Sequence, residues 1–486
     1  KQTALKFYGS GPVKLNKSLD GIETLDFRLN LDHADMAILS ALKPDLAQFV
    51  DKLSLSKSAM DLKYKPPQGP IVSFDGSVFH DSDNSAPLKL KAKANLSDDI
   101  AGVESLELGG EAQNTPLALL LQPLNNKAQL SPEGKFSGKF LVKLNETGQL
   151  STVAELQTQN LKIFNDLGIP INNPAINLKV AGTSDEAQIQ QLEIQDQIGS
   201  LDLAGRIVKP FEENRQLDLK ADCLLKSAEQ ALAYFSAPDS LTLKGPIRIE
   251  GWLKGTPNKA SFEMHADANQ SAINIYKQLT KAPGKKASLW LKGNFSQSRP
   301  PKNPSLGIDA ICSLDLNGAS LLTSQNSQAL NNLNISGKSG LLFTRKNLEF
   351  KDFDIHLRRE GASKPVATIR GSASGLMTDS LKSVANINAN LDTQLVTALG
   401  LDNSGTLKIE GPLSINTKVN QSGNSYSFSL ESPLKALDIS YEKLFRKKAG
   451  IDGSMRVTGV NSKNLTNLRS VVLSLPGVSL DASGTI

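Results

Sequence analysis

The sequence predicts a mainly β protein: an elongated, twisted and repetitive antiparallel sheet curled into an open groove, with a few short helices. Three observations carry this expectation. Apolar and polar residues alternate through most of the chain, the chain repeats itself in register after 166 residues (Gly245 to Gly411), and a Gly-Pro pair interrupts the alternation at one fixed point of the repeat.

Alternation is clearest in "LKLKAKANL" (88–96), where Leu88, Leu90, Ala92, Ala94 and Leu96 share one face and Lys89, Lys91, Lys93 and Asn95 the other. The stretches "LDLKADC" (217–223), "IDAICSLDL" (308–316), "LKIEGPLSINTKV" (407–419) and "YSFSL" (426–430) repeat the pattern. One greasy face and one wet face belong to antiparallel sheet solvated on one side. At 486 residues the chain exceeds one ordinary core, and with aromatics at 5% it suits many short strands better than a few bulky cores. Helices are expected at 34–53, broken by Pro44, and at 156–168, 225–235 and 391–401.

Sliding the chain by 166 places Gly205 on Gly371, Leu225 on Leu391, Leu241 on Leu407 and Pro246 on Pro412. The same frame places Lys277 on Lys443, Lys281 on Lys447, Gly284 on Gly450 and Gly293 on Gly459. Residues 201–366 therefore read as a repeat unit, 367–486 as a second and incomplete copy, and 1–200 as a β-rich section with a diverged repeat around the "GPI" at 69–71. Within "LTLKGPIRIEG" (241–251) the parity of Leu241, Leu243, Ile247 and Ile249 survives the Gly-Pro pair. The pair is expected to bend the strand rather than reverse it, since Pro lacks a ladder donor and Gly permits a kink.

Charge is balanced, 54 Lys plus Arg against 49 Asp plus Glu, and interspersed, which argues against a nucleic-acid footprint. The basic clusters "KAPGKK" (281–286) and "KLFRKK" (443–448) read as solubilising turns, with attraction to anionic headgroups as the sharper alternative. No apolar run reaches the roughly 20 residues that cross a bilayer. The chain opens on "KQTALKFYG" and stops in the strand-like "LDASGTI", so a fragment or processed chain, with any anchor outside it, is expected.

Catalytic patterns fail on their residues. His33, His80, His265 and His356 have no partner spacing. "HDSDNS" offers Asp81, Asp83 and Ser85 like a calcium loop, but Ala86 stands where Gly is needed and Ala92 where Glu is needed. "GKS" (337–339) has Asn332 in place of the first glycine of a phosphate loop, and "GSASG" (371–375) has Ala373 in place of a nucleophile. No catalytic residue, metal site or cofactor is expected. Cys223 and Cys312, 89 positions apart, fall on apolar faces and read as free buried thiols.

The segments "SAINIYKQLTKAPGKKASLWLKGNF" (271–295) and "ALDISYEKLFRKKAGIDGSMRVTG" (436–459) share an alternating strand, a lysine, a Lys-x-x-Gly turn and a strand ending in glycine. Together with "LVTALGLDNSGTLKIEGPLSI", this order resembles the repeat of the AsmA-like family of bacterial envelope proteins, closest to the YhdP-like branch beside TamB. The resemblance is clear over about 200–486 and fainter over 20–200. It implies a long apolar β-groove that carries phospholipid across the periplasm of a Gram-negative-type bacterium, between inner and outer membrane. It also implies an N-terminal inner-membrane helix and an outer-membrane contact, both outside this chain, which would then be a middle section.

Parity names the lining of such a groove: Leu217, Leu219, Leu241, Leu243, Ile247, Ile249, Leu314, Leu316, Leu407, Ile409, Leu413, Ile415, Phe428 and Leu430. The expected partner is phospholipid or another acyl lipid, with no nucleic acid. A dry sandwich predicts the same alternation, so a structural or adhesive β-repeat protein of the cell surface is the alternative.

Overall fold

The structure is a computed structural model that describes residues 5–8, 25–35, 53–65, 68–80, 83–97, 103–117, 133–163, 171–172, 174–210, 212–229, 241–275, 278–298, 305–323, 326–344, 347–375, 381–392, 407–423, 425–442, 445–462 and 465–485. It is mainly β and antiparallel, and its sheet does not close into a barrel. Two compact units divide at 223/224.

The first unit holds β1 (Leu5–Tyr8), β2 (Leu25–Asp35), β3 (Leu53–Lys65), β4 (Gln68–His80), β5 (Asp83–Leu96), β6 (Val103–Pro116), β7 (Glu133–Leu144), β8 (Leu150–Ile163), β9 (Ile171–Asn172), β10 (Ala175–Thr183), β11 (Glu186–Gln195), β12 (Gly199–Val208) and most of β13 (Gln216–Leu225). Strands β1 to β8 pair in chain order, β8 then takes both the short β9 and β10, and β11 and β12 follow. Register keeps the two faces apart. Val72, Ala94, Leu106 and Leu144 stand opposite one another on successive strands, while the next row reads Ser73, Lys93, Glu107 and Lys143. Bulges interrupt the ladder beside Lys57 and Asn114, whose φ of 49° and 52° are left-handed.

The helix expected at 156–168 is strand as far as Ile163. Leu156 stands between Gly138 and Leu178, so cross-strand partners on both sides override the local helical pattern. Residues 164–168 lie outside the described residues. Of 34–53 only the ends are described, in β2 and β3; of 225–235, Leu225 ends β13 and Ala228 and Glu229 are helical; of 391–401, Leu391 ends a strand. The remainder of each lies outside the described residues.

The second unit holds β14 (Leu241–Lys244), β15 (Ile247–Thr256), β16 (Lys259–Asp267), β17 (Ala272–Ile275), β18 (Leu279–Lys281), β19 (Ala287–Ser298), β20 (Ser305–Thr323), β21 (Asn326–Thr344), β22 (Asn347–Arg359), β23 (Ala367–Ser374) and β24 (Lys382–Leu391). It continues with β25 (Leu407–Glu410), β26 (Leu413–Ser422), β27 (Ser425–Pro433), β28 (Asp438–Tyr441), β29 (Phe445–Lys447), β30 (Ser454–Ser462), β31 (Leu465–Leu475) and β32 (Val478–Thr485). Its main ladder runs β15-β16-β19-β20-β21-β22-β23-β24-β26-β27-β30-β31-β32.

Two small flaps leave this ladder, β14-β17-β18 and β25-β28-β29, and each begins at a Gly-Pro pair. "LTLKGPIRIEG" is therefore two strands with different partners: β14 pairs with β17, and β15 with β16. Gly245 and Gly411 take φ of 113° and 110°, a backbone open to glycine, and an added Cβ would sit 3.0 Å from the Gln270 carbonyl oxygen or 2.6 Å from that of Ala436.

Two backbone bonds recur at both corners. Ala268 N donates to Ala287 O and Leu434 N to Gly453 O, both at 2.8 Å. Gly284 N donates to Asn269 O and Gly450 N to Lys435 O, again both at 2.8 Å. Under each flap lies a packed cluster: Ala287, Leu316, Ala319, Leu333 and Ile335 in the first copy, and Leu391, Leu413, Leu434, Leu437 and Leu475 in the second.

Candidate functional site

The candidate site is the apolar face of the second unit. One row of facing residues crosses the main ladder without interruption: Ile249, Ala266, Leu289, Leu314, Gly337, Ile355, Ile369, Ile387, Thr417, Leu430, Val457, Val471 and Ala482. Thr417 is its single hydroxyl. The row one residue over, on the opposite face, reads Glu250, His265, Trp290, Ser313, Lys338, Asp354, Arg370, Asn386, Lys418, Ser429, Thr458 and Ser470. At about 4.8 Å between strands, the apolar row follows about 58 Å of sheet.

Ion pairs hold the wet face. Lys292 meets Glu263 at 3.2 Å, Arg370 meets Asp354 at 3.2 Å and Arg456 meets Glu431 at 2.8 Å. Exposed pairs of this kind contribute about 0.2–1 kcal/mol each, so they fix register and solubility more than stability. Glu263 also accepts from Trp290 Nε1 at 3.0 Å, and hydrogen bonds from Trp290 and Lys292 hold its carboxyl below the usual range.

The greasy face is unevenly covered. Beneath the flaps it is dry, with Leu316 3% and Leu413 6% exposed, whereas Met264, Leu289 and Leu314 are 41%, 44% and 43% exposed. A large apolar side chain in mid-ladder with two-fifths of its surface open is not a core residue.

The residues that parity names fall into groups. Ile249, Leu314 and Leu430 stand on the continuous row. Leu316 and Ile415 stand on the row nearer the flaps, joined through Ile335, Leu357, Ala367 and Ala389. Phe428 stands on the far side, opposite Val419 and Gly459. Leu413 is in the second buried cluster with Ile409 and Ile415 packed on it. Leu241 and Leu243 lie in the first flap opposite Ile275 and Ile273, Ile247 opens β15, and Leu217 and Leu219 are half-buried in the first unit. Leu407 pairs with Tyr441, and its side chain lies outside the described residues.

Parity did not name Met264, Leu289, Ile355, Ile369, Ile387, Val457 or Val471, although the same alternation runs through "SLWLKG", "FDIHL", "ATIRG" and "ANINAN". The reading of "KAPGKK" and "KLFRKK" as solubilising turns needs correction at one position in each. Lys281 and Lys447 are both 2% exposed. Lys281 Nζ donates to the carbonyls of Ala268, Asn269 and Ser271 at 2.9, 2.8 and 2.9 Å, and Lys447 Nζ to those of Leu437 and Lys448 at 2.8 and 3.3 Å. At the first corner Ala268 O and Asn269 O also accept from Ser271 N and Gly284 N, so the buried ammonium is satisfied by turn carbonyls at the corner rather than by a carboxylate.

Cys223 and Cys312 are unbridged and half-buried, and burial pushes both thiols up, Asp222 and Asp196 adding to the effect at Cys223. His265 and His356 belong to the wet face, where His356 Nε2 lies 3.2 Å from Asp354 Oδ1. Among the described residues, no group of three metal-capable side chains forms and no helix is long and apolar enough to cross a membrane. The hollow of about 760 Å³ in the first unit is lined by Glu111, Lys139, Glu155 and Lys179 with only a few apolar neighbours, and Lys139 pairs with Glu155 across it. It is a charged depression, unsuited to acyl chains. No protein-family model matches the chain, and neither a curated protein nor a solved structure does.

Proposed function

We propose that the apolar face of this chain shields the acyl chains of a phospholipid on its way between the inner and outer membranes, the chain acting as the middle section of a periplasmic lipid-transfer protein. One observation carries the reading: a row across thirteen strands that is apolar except for the Thr417 hydroxyl, with Leu289 and Leu314 at its open part 44% and 43% exposed. A lipid crossing water must hide its methylenes, at about 0.8 kcal/mol each, while its headgroup stays hydrated. A sheet greasy on one face and charged on the other meets both demands. The likeness of the Gly-Pro and Lys-x-x-Gly pattern to AsmA-like repeats supports the same reading and the envelope location.

The packed clusters under the two flaps favour a second reading, a structural or adhesive β-repeat protein with a dry interior. Extraction decides between them. The chain purified from cells without detergent is expected to yield phospholipid in near-stoichiometric amount on treatment with organic solvent. A lipid-free chain whose stability is indifferent to delipidation would support the dry interior instead.

A further inference from the structure

The two corners differ in the cover of their flaps. In the first copy the flap is sealed on its outer side, because β20 runs on past the main ladder and pairs with β18: Ala319 faces Lys281, Ser320 faces Thr280 and Leu321 faces Leu279. The counterpart of β20 is β31, since each pairs with the matching strand of its own copy: Leu289 of β19 faces Leu314, and Met455 of β30, 166 residues after Leu289, faces Leu473, which lies 159 residues after Leu314. β20 has 19 residues and β31 has 11. β31 ends at Leu475 in a Pro476-Gly477 turn, Gly477 taking φ of 73°. Among the described residues the outer edge of β29 is therefore without a partner strand, and β25-β28-β29 is a sheet of its own.

The residues at this edge have changed with its covering. Thr280 and Ala282 of the sealed copy correspond to Arg446 and Lys448 at the open one, both exposed. Arg446 holds Asp438 with two bonds, Nε to Oδ1 at 3.4 Å and Nη2 to Oδ2 at 3.2 Å, and its side chain remains 64% exposed. Phe445 and the buried Lys447 preserve the apolar and cationic positions of Leu279 and Lys281.

We propose that the outer edge of β29 docks an extended acidic segment of another protein, in the place that Ala319–Leu321 takes on β18. Strand addition to an open edge draws affinity from main-chain hydrogen bonds and specificity from alternate side chains. The sealed copy supplies the register: a small residue opposite Lys447, an acidic one opposite Arg446 and a large apolar one opposite Phe445. This inference is independent of the lipid reading.

The probe is a fluorescent peptide of residues 316–323 carrying Ser320→Glu, compared with the same peptide carrying Ser320→Lys, each titrated onto the full chain. The Glu peptide is expected to saturate and to bind roughly tenfold tighter than the Lys peptide. A photoreactive version should crosslink to residues 445–447. Arg446→Thr, which installs the residue of the sealed copy, should nearly erase the preference while leaving thermal unfolding unchanged. Absent saturation, equal affinities or crosslinks elsewhere would overturn the proposal. So would an Arg446→Thr/Lys448→Ala chain that self-associates while the native chain ignores the peptide, since the charges would then serve only to guard the edge. Capture by anionic vesicles through Arg446, with no peptide binding, would overturn it as well.

Discussion

Lys281 and Lys447, 166 positions apart, bury their ammonium groups at the same point of two successive corners, each 2% exposed. Replacing Lys281 by Met keeps the stem and removes three bonds, to the Ala268, Asn269 and Ser271 carbonyls, of which the first two keep a backbone donor each, Ser271 N and Gly284 N. The expected loss is about 2–4 kcal/mol, read as a shift of the urea midpoint. Lys447→Met, with two bonds of which one is 3.3 Å, should lose less. Burial also holds the Lys281 pKa below 10.5, with Asp267 opposing. Between that lowered value and 10.5 the unfolded chain binds more protons, so this stabilisation is complete above 10.5 and declines as pH falls through the folded value. The stability gap between native chain and Lys281→Met should therefore widen as pH rises; a gap independent of alkaline pH would mean that the amine titrates normally.

Gly245→Ala and Gly411→Ala test the corners from the backbone side. Both glycines have φ near 110°, so alanine is strained at either by about 1–3 kcal/mol. The larger loss is expected at Gly411, where the new Cβ would lie 2.6 Å from a carbonyl oxygen, against 3.0 Å at Gly245. Thermal unfolding of the two variants reads the order, and equal tolerance of both would refute the corner geometry.

These corners mark what the sequence could and could not tell. Period-two alternation places a residue on a face, which is why the fold class and both faces of "LKLKAKANL" were readable: Leu88 is buried and Lys89 exposed. The offset of 166 located Gly245 and Gly411 because only glycine tolerates their backbone. Parity could not say that β14 and β15 would part company, since a change of partner leaves the alternation of Leu241, Leu243, Ile247 and Ile249 intact. Nor could it separate Leu314 from Leu316, two positions of one face that are 43% and 3% exposed. Cover by a flap is a long-range property. For the same reason Lys281 looked like any turn lysine: its acceptors lie 10 to 13 residues away.

Cys312 reports on the open part of the face from within. It stands between Leu291 and Ser339, and burial raises its thiol above 9.0. In a Cys223→Ser chain, maleimide should label Cys312 more slowly than a free thiol at neutral pH and accelerate as pH passes 9.0. Phospholipid vesicles should slow the labelling further if acyl chains settle on the face. Labelling that ignores the lipid would count against the proposed function.

Leu314 and Leu316 give the sharpest test, because they share a strand and a face and differ in cover. Leu316→Asp puts a carboxylate among the buried Ala287, Ala319, Leu333 and Ile335, and should cost about 4–5 kcal/mol or unfold the second unit. Leu314→Asp puts the same charge where the native side chain is already 43% exposed, so stability should change by about 1 kcal/mol or less. Its effect should appear in the lipid instead: an aspartate in the middle of the row is incompatible with a methylene chain lying across it, and phospholipid recovered from the purified variant should fall. If Leu314→Asp proves as destabilising as Leu316→Asp, the face is covered and dry at both positions, and the structural reading replaces the lipid one.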